Sequence, residues 1–183
     1  TSYRKDLYRS TDKGDTWTLV KENIESPYTS NQGICEHRNG IIVFAEYPIP
    51  DDLAPTDEIR VWRSTDDGQN WTSVLSVPRS SIRHFHTALV DPFSENILVT
   101  SGDSADASHW YLSEDKGATF SQIAGGSKEF TTLGILFTDD SYVWGQDAIP
   151  YANIITASKD SLDDRKRLLS LPQFSYGCLQ VDP

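Results

Sequence analysis

The sequence predicts an all-β protein built from repeated four-stranded antiparallel sheets. A ten-residue segment occurs three times without gaps, at 8–17, 62–71 and 111–120. The aspartates that these copies share are 54 and 49 residues apart, a spacing that fits one four-stranded blade of a β-propeller. Strand-like alternation flanks the copies, and the one helix-like stretch, 159–169, is assigned by the repeat register to a fourth hairpin.

Each copy reads Ser-x-Asp-x-Gly-x-(Thr/Asn)-(Trp/Phe), a pattern that is typical of a tight turn between two strands. In the second copy, Asp66 is expected to accept hydrogen bonds from backbone N–H groups of its own turn. Gly68 is expected to supply a positive φ. The aromatic residue of each copy is expected to be buried, with Trp71 as a plug between hairpin and sheet, so that Trp71→Ala costs about 3–5 kcal/mol. An eroded fourth copy at 157–162 keeps the Ser and the Asp but lacks the Gly and the aromatic residue.

The repeated segment resembles the Asp-box, or BNR repeat, of sialidases and many other β-propellers. The resemblance implies that each box joins the third and fourth strands of a blade, on the face opposite the active site. It therefore implies structural rather than catalytic roles for Asp12, Asp66 and Asp115.

The repeat register predicts a single partial propeller domain over 1–183, with blade pieces at 1–27, 28–78, 79–125, 126–172 and 173–183. The predicted strands are 3–10, 16–24, 32–38, 41–47, 58–64, 70–77, 84–91, 96–101, 108–113, 119–124, 131–138, 141–147, 151–157 and 165–171, with a last one starting at Ser175. Propellers usually close with four to eight blades, and open sheet edges are normally avoided. We therefore expect further chain or self-association to close the ring.

Composition narrows the classes of partner. The net charge of −11 argues against nucleic acid and against an anionic membrane surface, because both attract Lys and Arg. No apolar run is long enough to span a bilayer, and the first residues do not read as a secretory signal. The chain contains no Met, which suggests trimming, so localisation stays open, with secretion preferred. Cys35 and Cys178 are interpreted as buried thiols, and no cofactor is expected.

The candidate site lies on the face opposite the Asp-boxes, called the mouth face here, where second strands end and first strands begin. Each predicted second strand ends in an acid: Glu46, Asp103 and Asp147. Equivalent positions of successive blades point to one axis, so the three carboxylates are catalytic candidates around one opening. The alternative is that each acid accepts backbone N–H bonds within its own loop.

The first strand of the third blade begins with Arg83-His84-Phe85-His86. Two His at i and i+2 of a strand point to the same side, and Asp103 is expected beside them. Three interpretations stay open: a hydrogen-bonded pair in the channel wall, a polar substrate or proton-transfer role, and a metal site. Our assignment takes His84 and His86 as catalytic candidates without a metal. Arg83 is a candidate for holding a substrate carboxylate.

Aromatic residues complete the candidate site. Tyr47 and Trp110 are expected to stack on substrate. Trp144 and Tyr151 are further aromatic residues near the mouth, and blade packing is favoured for Trp144. The segment 83–120 resembles one blade of sialidase-like BNR propellers of unknown reaction. True sialidases carry an arginine triad and a Phe/Tyr-Arg-Ile-Pro motif, whereas this chain has Tyr47-Pro-Ile-Pro50.

Two functional hypotheses follow. The first is a sialidase-like glycoside hydrolase, or a related carbohydrate-active protein, that uses a pair of mouth-face carboxylates. The second is a non-catalytic propeller that binds a glycan or a protein on the same face. The expected partner is a carbohydrate or a small polar ligand. The separation of the carboxylates in space discriminates the two hypotheses.

Overall fold

The computed structural model describes residues 6–22, 30, 32–38, 40–48, 57–173 and 175. It contains three four-stranded antiparallel sheets and one two-stranded sheet, each running in chain order. The strands are β1 (Leu7–Arg9), β2 (Thr18–Lys21), β3 (Ile34–His37), β4 (Ile41–Ala45), β5 (Glu58–Ser64), β6 (Thr72–Pro78), β7 (Phe85–Val90), β8 (Ile97–Ser101), β9 (His109–Ser113), β10 (Ser121–Gly125), β11 (Thr132–Phe137), β12 (Ser141–Gln146), β13 (Ala152–Ser158) and β14 (Ser161–Leu171).

The predicted fold class is confirmed: the described chain is all-β, and its four-stranded sheets are propeller blades. The described residues include no α-helix, only a short 3-10 helix at Lys128–Phe130. Accordingly, none of the described helical segments is long and apolar enough to cross a bilayer. The helix-like stretch from 159 is strand β14, which begins four residues earlier than predicted because the eroded box leaves only a tight turn. The predicted last strand lies outside the described residues, apart from Ser175.

The turns of the three repeated segments, called Asp-boxes here after the motif that they resemble, form as the sequence pattern predicts. Asp66 Oδ1 accepts from the Ser64 hydroxyl at 2.8 Å and from the Asn70 amide at 2.9 Å, and Gly68 has φ of 80°. The boxes at Asp12 and Asp115 repeat this network. Hydrogen bonds from the residue four positions later are the main reason that the pKa of each box aspartate falls to about 2.

The expected burial of the box aromatics is wrong for the first copy and only partly met in the second. Trp17 is 62% exposed, and Trp71 is half-buried. Each indole donates its Nε1–H to the carbonyl of the box glycine, Gly14 or Gly68. The ring therefore caps its own turn from the outside instead of entering the space between sheets.

Two apolar clusters form the core, one on each side of the sheet β7–β10. The first joins this sheet to β3–β6 through residues such as Val43, Ile59 and Phe85. The second joins it to β11–β14 through residues such as Trp110 and Trp144. Strand β7 also contacts β3, β4 and β11, so the first strands of successive blades lie side by side.

An arginine links each of the first two Asp-boxes to the box of the next blade. Arg9 Nε donates to the carbonyl of Asp67, and Arg63 Nε donates to the carbonyl of Lys116 at 2.8 Å. The third box has Leu112 in the place of this arginine, and the following blade has only the eroded turn. Leu112 packs against the second apolar cluster instead.

Candidate functional site

Three chain segments meet on the mouth face. They are the residues after β4, the residues that lead into β7 and the residues after β8. A backbone hydrogen bond of 3.1 Å from Phe85 N to Glu46 O ties the first two segments together. The side chains of Tyr47, Arg83, His84, His86 and Asp103 converge here, and we call these five residues the mouth cluster.

The two imidazoles and the carboxylate form the centre of the mouth cluster. His84 Nε2 and His86 Nε2 lie 3.2 Å apart, since residues two apart on a strand share a side. The Asp103 carboxylate lies 3.4 Å from each of these nitrogens, through Oδ2 for His84 and Oδ1 for His86. Arg83 donates to Asp103 Oδ2 at 2.9 Å. The structure thus brings together the four residues that sequence analysis expected at the entry of the third blade.

Neighbouring groups fix the orientation of both rings. His86 Nδ1 lies 2.9 Å from the carbonyl oxygen of Thr132, in the next blade. Tyr47 stacks on His84 with the ring centroids 3.8 Å apart. The exposed Lys128 donates to the backbone carbonyl of Asp103 at 2.6 Å, at the rim of the cluster.

Gly102 leaves the space that His86 occupies. A Cβ atom on Gly102 would lie 2.3 Å from Cε1 of the His86 ring and 2.7 Å from its Nδ1. The next residue, Asp103, has φ of 85°, a left-handed conformation that is unusual for a non-glycine residue and that clusters at functional sites. The backbone after β8 is therefore shaped to admit the imidazole and to turn the carboxylate towards it.

Burial and charge act against each other in the mouth cluster. Burial lowers the pKa of His84, and the hydrogen bond and charge of the Asp103 carboxylate oppose this shift. Burial by itself would raise the pKa of Asp103, but hydrogen bonds and charge from His84 and His86 hold that pKa below its usual range. Asp103 is thus an ionised carboxylate with two nitrogen atoms in front of it, an arrangement suited to holding a cation, a proton or a polar ligand.

Glu46 does not face the mouth cluster. Its side chain is fully buried, with Oε2 accepting from Arg60 N at 2.7 Å and Oε1 accepting from Trp62 Nε1 at 2.8 Å. The carboxylate thereby joins the end of β4 to β5 inside its own blade. Expected as a catalytic group, Glu46 takes a structural position, because it satisfies buried N–H donors.

No described contact joins the side chain of Asp147 or of Trp110 to the mouth cluster. Asp147 is half-buried, and its backbone N–H bonds to Thr131 O at 2.8 Å, but among the described contacts its carboxylate does not reach the imidazoles. Trp110 is fully buried, and its Nε1 donates to Phe130 O at 2.8 Å. Expected to stack on substrate, Trp110 offers no face to solvent, because it fills the space between two blades.

The other two aromatic candidates differ in exposure to solvent. Trp144 is fully buried in the same apolar cluster as Trp110, as blade packing requires. Tyr151 is 67% exposed. Of the three carboxylates expected to ring one opening, that of Glu46 is buried in its own blade and that of Asp103 contacts the imidazoles. The place of Asp147 at this opening and the roles of the remaining site residues stay predictions.

Sequence reasoning did not single out Lys128, Thr132 or Gly102. Lys128 lies on the connection between blades, where no repeat register marks it, and Thr132 acts through a backbone carbonyl that any residue offers. Gly102 did carry a signal, because a glycine next to the end of a β-strand often marks a close approach of another group.

Comparisons with known proteins identify the fold and no family. No protein-family description matches the sequence, and no curated protein matches it. A solved structure of a nidogen/laminin complex contains a similar β-propeller chain, with TM-score 0.59 and 11% identity, over 88% of this chain and 55% of that one. A protein of unknown function from Dyadobacter fermentans DSM 18053 is similar with TM-score 0.51 and 18% identity, over 91% of this chain and 52% of that one. The chain therefore spans about half the length of these two structural neighbours.

Proposed function

We propose that the protein is a propeller that binds an acidic carbohydrate, or a similar small carboxylate ligand, at the mouth cluster without hydrolysing it. The observation that carries this proposal is the arrangement of charges around Asp103. Arg83, with a half-exposed side chain, and the exposed Lys128 bring two cations to one partly exposed position of a strongly acidic chain. A guanidinium with spare N–H donors is well suited to a ligand carboxylate.

The position of the acids favours binding over glycoside hydrolysis. A glycosidase needs two carboxyl groups on opposite sides of one bond, about 5–10 Å apart. Glu46 is fully buried, and its two oxygens accept hydrogen bonds from Arg60 N and Trp62 Nε1 inside its own blade. No described contact joins the Asp147 carboxylate to the mouth cluster. Among the described residues, Asp103 is the one predicted acid whose carboxylate contacts the imidazoles of the mouth cluster, which supports the second functional hypothesis.

Calorimetric titration tests the proposal with glucuronic acid and N-acetylneuraminic acid as probes and glucose as the neutral reference. We expect both acids to bind at least ~10-fold more tightly than glucose, a difference of about 1.4 kcal/mol. Arg83→Gln should abolish this preference, because it removes the cation that faces the carboxylate. Arg167→Gln, which changes an exposed arginine on the outermost strand β14, serves as the matched control.

Equal affinity of wild type for acidic and neutral sugars would contradict the proposal, as would unchanged binding in Arg83→Gln. The hydrolysis hypothesis is tested with fluorogenic aryl glycosides of the same sugars. Turnover that is lost in Asp103→Asn would establish a glycosidase and overturn the non-catalytic proposal.

A further inference from the structure

The centre of the mouth cluster brings two ring nitrogens and a carboxylate together. His84 Nε2 and His86 Nε2 lie 3.2 Å apart, and each lies 3.4 Å from one oxygen of Asp103, Oδ2 for His84 and Oδ1 for His86. One ligand atom from each of the three residues lies within 4.8 Å of the other two. Ligands at about 2.0–2.1 Å from a tetrahedral zinc ion are about 3.3 Å apart, so these side chains are close to the spacing of ligands around one small ion.

Hydrogen bonding within the described residues leaves one buried ring nitrogen of this group without a partner. His86 Nδ1 lies 2.9 Å from the carbonyl oxygen of Thr132, so Nε2 is the ring nitrogen that His86 presents to Asp103. His84 also meets Asp103 through Nε2, and its buried Nδ1 has no hydrogen-bond partner among the described residues. Each imidazole therefore offers one nitrogen to the space beside the carboxylate, and the three side chains are close enough together to hold one metal ion.

We propose that His84 Nε2, His86 Nε2 and the Asp103 carboxylate bind a divalent transition-metal ion such as Zn²⁺. Imidazole and carboxylate ligands suit zinc and its neighbours in the first transition row. Three protein ligands leave at least one coordination position for water or another ligand, as catalytic zinc sites do and structural sites do not. This site departs from the sequence-based expectation of a metal-free cluster.

Groups around the ligands support the assignment. Ligating His residues usually donate their second ring nitrogen to a carbonyl or carboxylate, as His86 does to Thr132. Ligating carboxylates are themselves hydrogen-bonded, as Asp103 is to Arg83. Gly102 leaves room for the His86 ring, and the left-handed backbone of Asp103 aims its side chain at the two nitrogens.

The metal site deepens the proposed function, but it does not require it. A free coordination position on the metal ion, beside the side chains of Arg83 and Lys128, would bind the carboxylate of an acidic sugar directly. Metal binding is nevertheless measurable without any sugar, so the two proposals fail separately. Bound metal without sugar binding would refute the proposed function alone, and sugar binding without metal would refute this inference alone.

The test is metal binding by the protein produced without a polyhistidine tag. The protein is stripped with a chelator, incubated with Zn²⁺ and passed through a desalting column, and its metal is counted by mass spectrometry. We expect one equivalent of Zn²⁺ in wild type and loss of it in Asp103→Asn and in His84→Ala. His109→Gln changes a histidine outside the cluster and should keep the full equivalent.

Titration with Co²⁺ gives a second measurement that does not depend on protein stability. Coordination by nitrogen ligands should produce a visible absorption band in wild type that Asp103→Asn lacks, while circular dichroism shows both proteins folded. Gly102→Ala retains all three ligands but displaces one ring, and we expect it to weaken Zn²⁺ binding by ~10–100-fold, as losses around a metal site do. Failure of wild type to retain Zn²⁺, or full retention by Asp103→Asn, would overturn the inference.

Discussion

Replacement of Gly102 by alanine tests whether the backbone after β8 is shaped around His86. The added Cβ would lie 2.3 Å from His86 Cε1, more than 1 Å inside ordinary contact. The ring is 1% exposed, so it has no free space to move into. The φ of Gly102 lies outside the left-handed region, so the alanine backbone itself is not strained.

Two costs follow from this overlap. Overpacking of a filled site costs about 1–3 kcal/mol. If the ring rotates away, the 2.9 Å hydrogen bond to Thr132 O is lost, at about 1 kcal/mol. We therefore expect Gly102→Ala to lower the free energy of unfolding by about 2–4 kcal/mol. With a urea m-value of about 2 kcal/mol/M, the midpoint followed by Trp fluorescence should fall by about 1–2 M.

A double-mutant cycle identifies the clash as the cause. In a His86→Ala background the methyl of Ala at 102 enters vacated space, so adding Gly102→Ala should cost little or restore stability. The expected interaction energy is about 1–3 kcal/mol in the favourable direction. An unchanged midpoint in the single variant, or an equal loss in both backgrounds, would refute the reasoning.

Three further predictions concern the scaffold. Glu46→Gln should lower the free energy of unfolding by about 1–3 kcal/mol, because its amide group would face a buried N–H donor; a wild-type urea midpoint would contradict the structural role. Trp71→Ala should lower the free energy of unfolding by about 1–3 kcal/mol, because the Trp71 ring is half-buried, and Trp17→Ala by less than about 1 kcal/mol, because Trp17 is 62% exposed. Equal losses of the two variants in urea unfolding would refute this order. The pKa of Asp66 is about 2 in the folded protein, below that of the unfolded chain, so its stabilisation is complete above about pH 4 and disappears as the pH falls towards 2. Between about pH 4 and pH 2, the urea midpoint should fall less steeply in Asp66→Asn than in wild type. Parallel curves for the two proteins would contradict the stabilising role of the Asp66 carboxylate.

The fold was predictable because the repeat fixes the register. Each box supplies a turn with a required Asp and Gly. Three boxes at blade spacing then fix the frame, and the alternation of apolar and polar residues places the remaining strands. The start of β14 was missed, because the eroded box lacks the Gly that marks the turn. The burial of Trp17 and Trp71 was misjudged, because a pattern of residue types does not say whether a ring points between sheets or over its own turn.

The site was predictable only where strand geometry acts directly. The i, i+2 rule puts His84 and His86 on one side, and the end of the neighbouring strand brings Asp103 to them. Glu46 is also at a strand end, but its longer side chain turns back to buried donors, which the sequence does not reveal. The rim position of Lys128 depends on how two blades pack, and no local pattern encodes it.

The arginine that joins one Asp-box to the next gives the array of blades a direction. Arg9 and Arg63 each reach forward to a carbonyl of the following turn, and Leu112 stands where the following turn is eroded. The residue that precedes the Ser of an Asp-box is thus suited to the turn of the following blade rather than to its own blade. A recombined or duplicated blade would carry the wrong partner at one of its two junctions, so successful shuffling would have to exchange the segment from one arginine to the next turn as a unit.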